Sequence, residues 1–148
     1  MKTLKGKYTP KKHSKYKGDP TNIIYRSSWE RKFMSYCDRN PDIVEWASEE
    51  IAIPYYDTLS KKVRRYFPDF LIKVKTKDGK LKTHLIEVKP TKDLRPPVGG
   101  KGKKKSTVLY EMKTYQMNRD KFASARKWCD DRNIIFDIWT EKHLRQKG

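Results

Sequence analysis

Apolar residues first recur at a helical spacing at Trp29, Phe33, Tyr36 and Cys37, which fall on one stripe of a 3.6-residue repeat. Just ahead of them, Ser27 and Glu30 have the S-x-x-E spacing of a capping box, and Asn40-Pro41 closes the helix. The period then changes. Ile43-Val44-Glu45-Trp46 reads as a short strand or turn, and Ile51 to Tyr56 as a strand. A second strand runs from Arg65 to Val74 and a third from Leu81 to Lys89, with Thr76-Lys77-Asp78-Gly79-Lys80 as the turn between them. Helical spacing returns from Val108 to Arg132, with Met112, Tyr115, Phe122, Ala125 and Cys129 roughly on one face. Asn133 is the expected C-cap, Ile134 to Trp139 the last strand, and Thr140 the cap of a short terminal helix reaching Leu144. The order helix, strand, strand, strand, helix, strand predicts an α/β fold, in which helices pack on a mixed sheet of three or four strands.

The turn admits two registers. A two-residue turn on Asp78-Gly79 pairs residues whose numbers sum to about 157, whereas a type I turn followed by a left-handed Gly79 in a bulge pairs those summing to about 156. A slip of one residue moves every side chain to the other face. In the bulged register Asp69 faces Glu87 directly, and Lys89, two residues on, shares the face of Glu87. In the other register Asp69 points away and the cluster dissolves. The pattern alone leaves both open.

Charge changes the picture next. The 148 residues hold 36 Lys plus Arg against 18 Asp plus Glu, a net charge of +18. A domain of this size usually carries about 2–8, so a polyanionic partner is expected. Residues 1–20 hold seven Lys and one Asp, and residues 89–105 hold six Lys, one Arg and one Asp, so two segments carry most of the excess. The first reads as a flexible basic arm (residues 1–24), with Tyr8, His13 and Tyr16 interleaved for base stacking. The second reads as a long basic loop (90–107) within a core spanning 25–139, followed by a tail at 140–148. Lys11, Lys12, Lys15, Lys101, Lys103, Lys104 and Lys105 are candidate nucleic-acid contacts, and Arg26 either contacts phosphate or stabilises the arm. The competing reading is a pair of solubilising segments. No stretch suits a membrane span or a signal peptide. Cys37 and Cys129 lack any metal-ligand or disulfide pattern and read as buried thiols in a reducing compartment. His13 and His143 have no ligand spacing, and alternation puts His84 on the face away from Glu87.

In so basic a chain, acids inside apolar strands are informative. Asp69 and Glu87 are flanked by strand-forming residues, and half-buried carboxylates are costly unless paired or metal-bound. Two hard oxygen donors suit Mg2+ or Mn2+. Such an ion lowers the pKa of water and offsets charge developing on phosphorus, which is the chemistry of phosphodiester hydrolysis. Lys89 would hold the water or a phosphate oxygen, and Glu30 would add a further carboxylate.

Pro68-Asp69 followed by Glu87-Val88-Lys89, with Glu30 on the preceding helix, resembles the PD-(D/E)XK, restriction-endonuclease-like nuclease superfamily. The wider run from Lys7-Tyr8 through Tyr25-Arg26-Ser27-Ser28-Trp29-Glu30-Arg31 to Glu49-Glu50 and Pro54-Tyr55 resembles the head-completion nucleases of T4-like tailed phages. Arg26-Ser27-Ser28-Trp29-Glu30 is also similar to the endonuclease subunit of Tn7-type transposases. These resemblances imply Mg2+-dependent cleavage of double-stranded DNA, with Asp69 and Glu87 as metal ligands and Lys89 as catalytic base or stabiliser. The phage resemblance further implies trimming of packaged DNA in the host cytoplasm during assembly, portal or neck proteins as partners, and a place in the virion. Some superfamily members use a Gln or Tyr on the following helix, for which Gln116 and Tyr115 are the candidates. The alternatives are a non-catalytic head protein on a nuclease fold and a transposon- or repair-type nuclease.

Overall fold

Gly79 decides the register. Its φ of +82° lies in the left-handed region, its N–H donates to the Thr76 carbonyl at 2.9 Å, and the Thr76 N–H donates to the Lys80 carbonyl at 2.8 Å. The computed structural model, which describes residues 5–100 and 102–143, accordingly has the bulged pairing, with Phe70 opposite Ile86 and Lys75 opposite Leu81.

In chain order the elements are β1 (Gly6–Lys7), β2 (Ile24–Tyr25), α1 (Ser28–Arg39), β3 (Ile43–Ser48), β4 (Ile53–Asp57), β5 (Lys62–Tyr66), β6 (Phe70–Lys75), β7 (Leu81–Val88), α2 (Lys105–Asp131) and β8 (Ile135–Trp139). Four strands form the central sheet in the order β3-β6-β7-β8, with β8 parallel to β7 and the other pairings antiparallel. Strand alternation sorts the core into two layers. Phe70, Ile72 and Ile86 pack with Phe33, Met34 and Cys37 of α1, Phe33 stacking on Phe70 at 4.4 Å. On the other face, Leu71, Leu85, Phe136 and Ile138 meet Phe122, Ala125 and Cys129 of α2. Both cysteines are free and buried. Among the described residues, no helix is long and apolar enough to cross a membrane.

Four expectations need correction. The strand expected from Arg65 to Val74 is two strands, because Pro68 has no N–H to continue a ladder. The first piece, β5, leaves the sheet to pair with β4, and this hairpin packs Ile53, Tyr55 and Tyr66 on α2. The second helix begins at Lys105, inside the expected basic loop, and Met112 is 54% exposed, the buried residues of α2 starting only at Asn118.

The third correction is to the flexible arm, whose described residues, 5–24, form a strap folded onto the core. Its lysine count hid its apolar anchors: Pro10, Tyr16 and Ile23 are buried, and Tyr16 meets Trp46 edge-on at 4.7 Å. Tyr16 is therefore withdrawn from base stacking. Fourth, Lys15 is committed to structure, since its ammonium donates to the carbonyls of Cys37, Asp38 and Asn40 at 2.8–3.1 Å. That places a cation on the otherwise unsatisfied C-terminal end of α1. Lys101 and Leu144 lie outside the described residues.

Asp38 fastens the strap. It accepts from the Lys11 and Lys12 N–H groups at 2.7 and 3.1 Å and from the Tyr8 hydroxyl at 3.0 Å. Burial alone would raise its pKa, but these donors and the Lys15 charge outweigh it and hold the carboxyl below its usual value. A depressed folded pKa adds stability above the unfolded value of about 3.9 that is lost as pH falls through the folded one. Asp38→Asn should thus cost about 1–3 kcal/mol at neutral pH, and the gap to the wild type should close on acidification below about pH 4; urea unfolding across pH measures both. Gly79→Ala meets no neighbouring atom within 4 Å, so it should cost only the backbone penalty, roughly 1 kcal/mol. The same unfolding experiment reads it.

Candidate functional site

The end of the ladder builds the site. Beyond the Ser48–Phe70 pair, the Glu49 N–H donates to the Asp69 carbonyl at 3.0 Å, so Glu49 and Asp69 lie side by side where β3 and β6 finish. On the other side, Pro68 breaks the ladder and the Val88 N–H is taken by the Asp69 carboxylate at 2.7 Å. Glu87 follows Ile86, the partner of Phe70, and so stands next to Asp69. Lys89 is fixed by its own N–H on the Trp139 carbonyl at 2.9 Å.

Glu87 is 5% exposed. Its Oε1 accepts from the Tyr66 hydroxyl at 2.6 Å, and its Oε2 lies 3.5 Å from the Lys89 ammonium. Burial, and then the neighbouring Glu87 charge, push the Asp69 carboxyl well above the usual range, while the Val88 N–H pulls the other way. Burial and the Glu87 charge likewise raise the Tyr66 phenol, which stays a hydrogen-bond donor. At the start of α1, Glu30 closes the expected capping box: its N–H donates to Ser27 Oγ at 3.1 Å. Burial raises its pKa as well, and the Glu49 charge adds to that.

Carboxylate oxygens of Glu30, Glu49 and Asp69 all lie within 4.8 Å of one another. The donor set is hard oxygen throughout, and the acids repel each other in a partly buried setting. Both features fit a divalent cation such as Mg2+. Of the candidates read from sequence, Glu30, Asp69, Glu87 and Lys89 come together. Arg26 reaches the same cluster, but its guanidinium is paired with Glu49 at 2.6 Å. Lys11, Lys12, Lys104 and Lys105 are exposed elsewhere, and Lys103 is paired with Glu111 at 2.9 Å. Gln116 is a structural residue, bonded to Asp120, which in turn caps Thr58. Tyr115 lines a cleft beside Lys89.

Two residues of the site escaped the sequence reading. Glu49 gets there through a left-handed backbone, φ 55°, which no glycine announces. Tyr66 arrives from the hairpin that leaves the sheet. An acidic pair at the end of an apolar strand, Glu49-Glu50, was the only available signal for the first.

Residues 40–141 match the TnsA-like endonuclease N-terminal family. The chain belongs to that family. It is an endonuclease with a restriction-endonuclease-like fold, and the matched span holds Glu49, Asp69, Glu87 and Lys89. The head completion nuclease of Enterobacteria phage T4 is 40% identical to it over 146 residues, 97% of this chain and 95% of that protein.

The repulsion at Asp69 gives a test with a change of sign. In EDTA, Asp69→Asn keeps an acceptor for the Val88 N–H and removes a destabilising charge, so its melting temperature should exceed the wild type's. Saturating Mn2+ should raise the wild type by linkage, about 2.7 kcal/mol at roughly 100 times Kd. It should leave Asp69→Asn nearly unmoved and shift Asp131→Asn, at the far end of α2, like the wild type. Thermal melts in the two buffers measure this.

Proposed function

We propose that this endonuclease cleaves DNA with a divalent cation, Mg2+ or Mn2+, and acts in phage head completion by trimming packaged DNA before the neck and tail attach. The observation that carries the reading is the convergence of Asp69, Glu87 and Lys89 at one strand end, with Glu30 and Glu49 beside them. A non-catalytic head protein would be free to lose one of these. The full-length likeness to a head completion nuclease supports the biological role, with double-stranded DNA as substrate, portal or neck proteins as partners, and the host cytoplasm as the place of assembly.

Asp69 and Glu87 would hold the cation, and Glu30 and Glu49, whose carboxylates gather with that of Asp69, would add further oxygen donors. When bound, it supplies a lowered pKa for water and compensation for charge developing on the phosphate. The residues do the rest. The Val88 N–H and the Tyr66 hydroxyl each occupy one carboxylate oxygen, on Asp69 and Glu87, and so fix the direction of the other. The Lys89 ammonium, tethered beside Glu87, would take a non-bridging phosphate oxygen or hold the attacking water. Ser27 and the Arg26 N–H hold Glu30. The exposed lysines of the strap and of the 90–104 loop, Lys11, Lys12 and Lys104 among them, with Lys105 at the start of α2, supply affinity for the phosphate backbone without reading bases.

Plasmid incubated with Mg2+ or Mn2+ should be cut, and EDTA should stop the reaction. Glu87→Ala and Asp69→Ala should lose at least a hundredfold in rate while binding DNA as well as the wild type or better, since each removes negative charge near phosphate. Cleavage by either variant at the wild-type rate would overturn the assignment.

A further inference from the structure

Beside the acidic cluster, a cleft of about 750 Å³ opens between the 90–103 loop and α2. Lys89 stands at one wall, and Lys92, Arg95, Lys103 and Lys121 also line it, against Asp93 and Glu111. Since Lys103 and Glu111 pair with each other, the remaining charge is strongly positive.

Two polar groups that line this cleft make no hydrogen bond or ion pair among the described residues. Lys121, half-buried on α2, forms no ion pair or hydrogen bond among the described residues. Its ammonium lies over the rings of Tyr66 and Tyr55, 5.6 and 5.9 Å from the centroids. Tyr66 is the residue whose hydroxyl holds Glu87, so this cation sits against the wall of the nuclease site. Burial pulls it below the usual lysine range, and the nearby Lys89 charge adds to that. One turn earlier on the same helix, Asn118 is only 8% exposed and lines the same cleft, its amide making no hydrogen bond among the described residues. A cation and an amide N–H donor that face one cleft are both met at once by an anion with several acceptor oxygens.

We propose that Lys121 and Asn118 form a subsite for a backbone phosphate neighbouring the one being hydrolysed, so that the cleft beside α2 carries the strand to be cut. The subsite rests on the nuclease reading above and names the substrate path within it. Lys121 supplies the charge and Asn118 a directed N–H. Tyr66 couples the subsite to the metal ligands, because the ring under the Lys121 ammonium belongs to the residue that orients Glu87.

The test is DNA binding in EDTA, where no cleavage intervenes, measured with a fluorescent duplex over a range of salt for the full-length protein. Lys121→Gln should weaken binding about tenfold and flatten the slope of log K against log salt by about 0.9, one phosphate contact. Lys121→Arg should keep the slope. Asn118→Asp, which preserves shape, should weaken binding by roughly tenfold as well, because its carboxylate faces the phosphate. This second variant also covers the case in which Lys121→Gln loosens the hairpin on α2. With Mg2+ present, Lys121→Gln should lower kcat/KM for DNA. Unchanged affinity and slope in both Lys121→Gln and Asn118→Asp would overturn the subsite and leave Lys121 a packing residue over two rings. Cleavage by Glu87→Ala at the wild-type rate would instead overturn the metal-site reading, while the salt slopes would still decide the subsite.

Discussion

Because side chains alternate along a strand, one residue of slippage between β6 and β7 would exchange the faces of everything they carry. The left-handed turn at Gly79 excludes that slippage. Everything at the site descends from this pairing. With Phe70 opposite Ile86, Asp69 and Glu87 come to the same end of the sheet on the face that meets α2, and the Val88 N–H clamps the Asp69 carboxylate where the ladder stops. The same pairing sends Ile72 and Ile86 towards α1, so the hydrophobic core and the acidic cluster enforce a single alignment. Two apolar layers on opposite faces make a shifted strand expensive well before chemistry is considered.

The acidic cluster is a local liability in a protein of net charge +18. Glu30, Glu49, Asp69 and Glu87 gather where burial already penalises charge, and Arg26, Lys89 and the Tyr66 hydroxyl offset only part of the repulsion. Such frustration fits the divalent cation proposed for this end of the sheet. On the proposed reading, the basic surface then has a double role, drawing the polyanion in and making the acidic end the exception within a positive field.

Much of this was legible in the sequence. The capping box at Ser27 and Glu30, the stripe through Phe33 and Cys37, the two possible registers and the alliance of Asp69, Glu87 and Lys89 all follow from short-range rules. What was hidden depends on the order of strands in space. Glu49 adjoins Asp69 because β3 pairs with β6 while the hairpin between them leaves the sheet, and periodicity carries no information about such neighbours. Tyr66, Lys121 and Asn118 meet the site for the same reason, through a hairpin packed on a helix some 50 residues away in the chain. The strap was misread because lysine dominates its composition, whereas its placement is governed by Tyr16, Ile23 and Pro10, too irregularly spaced to show a period.

The parallel pairing of β7 with β8 has a consequence for how the enzyme comes into being. A parallel neighbour must be delivered by a crossover, here the whole of α2, and the Trp139 carbonyl that tethers Lys89 belongs to β8, made well after the β6–β7 hairpin. The carboxylates can align as soon as the β6–β7 hairpin closes, but the lysine has no fixed place until about 50 more residues have been made and folded back. Synthesis order thus works as a safety catch: a nascent chain can gather its acids, yet Lys89 stays untethered until β8 has been made and has docked beside β7.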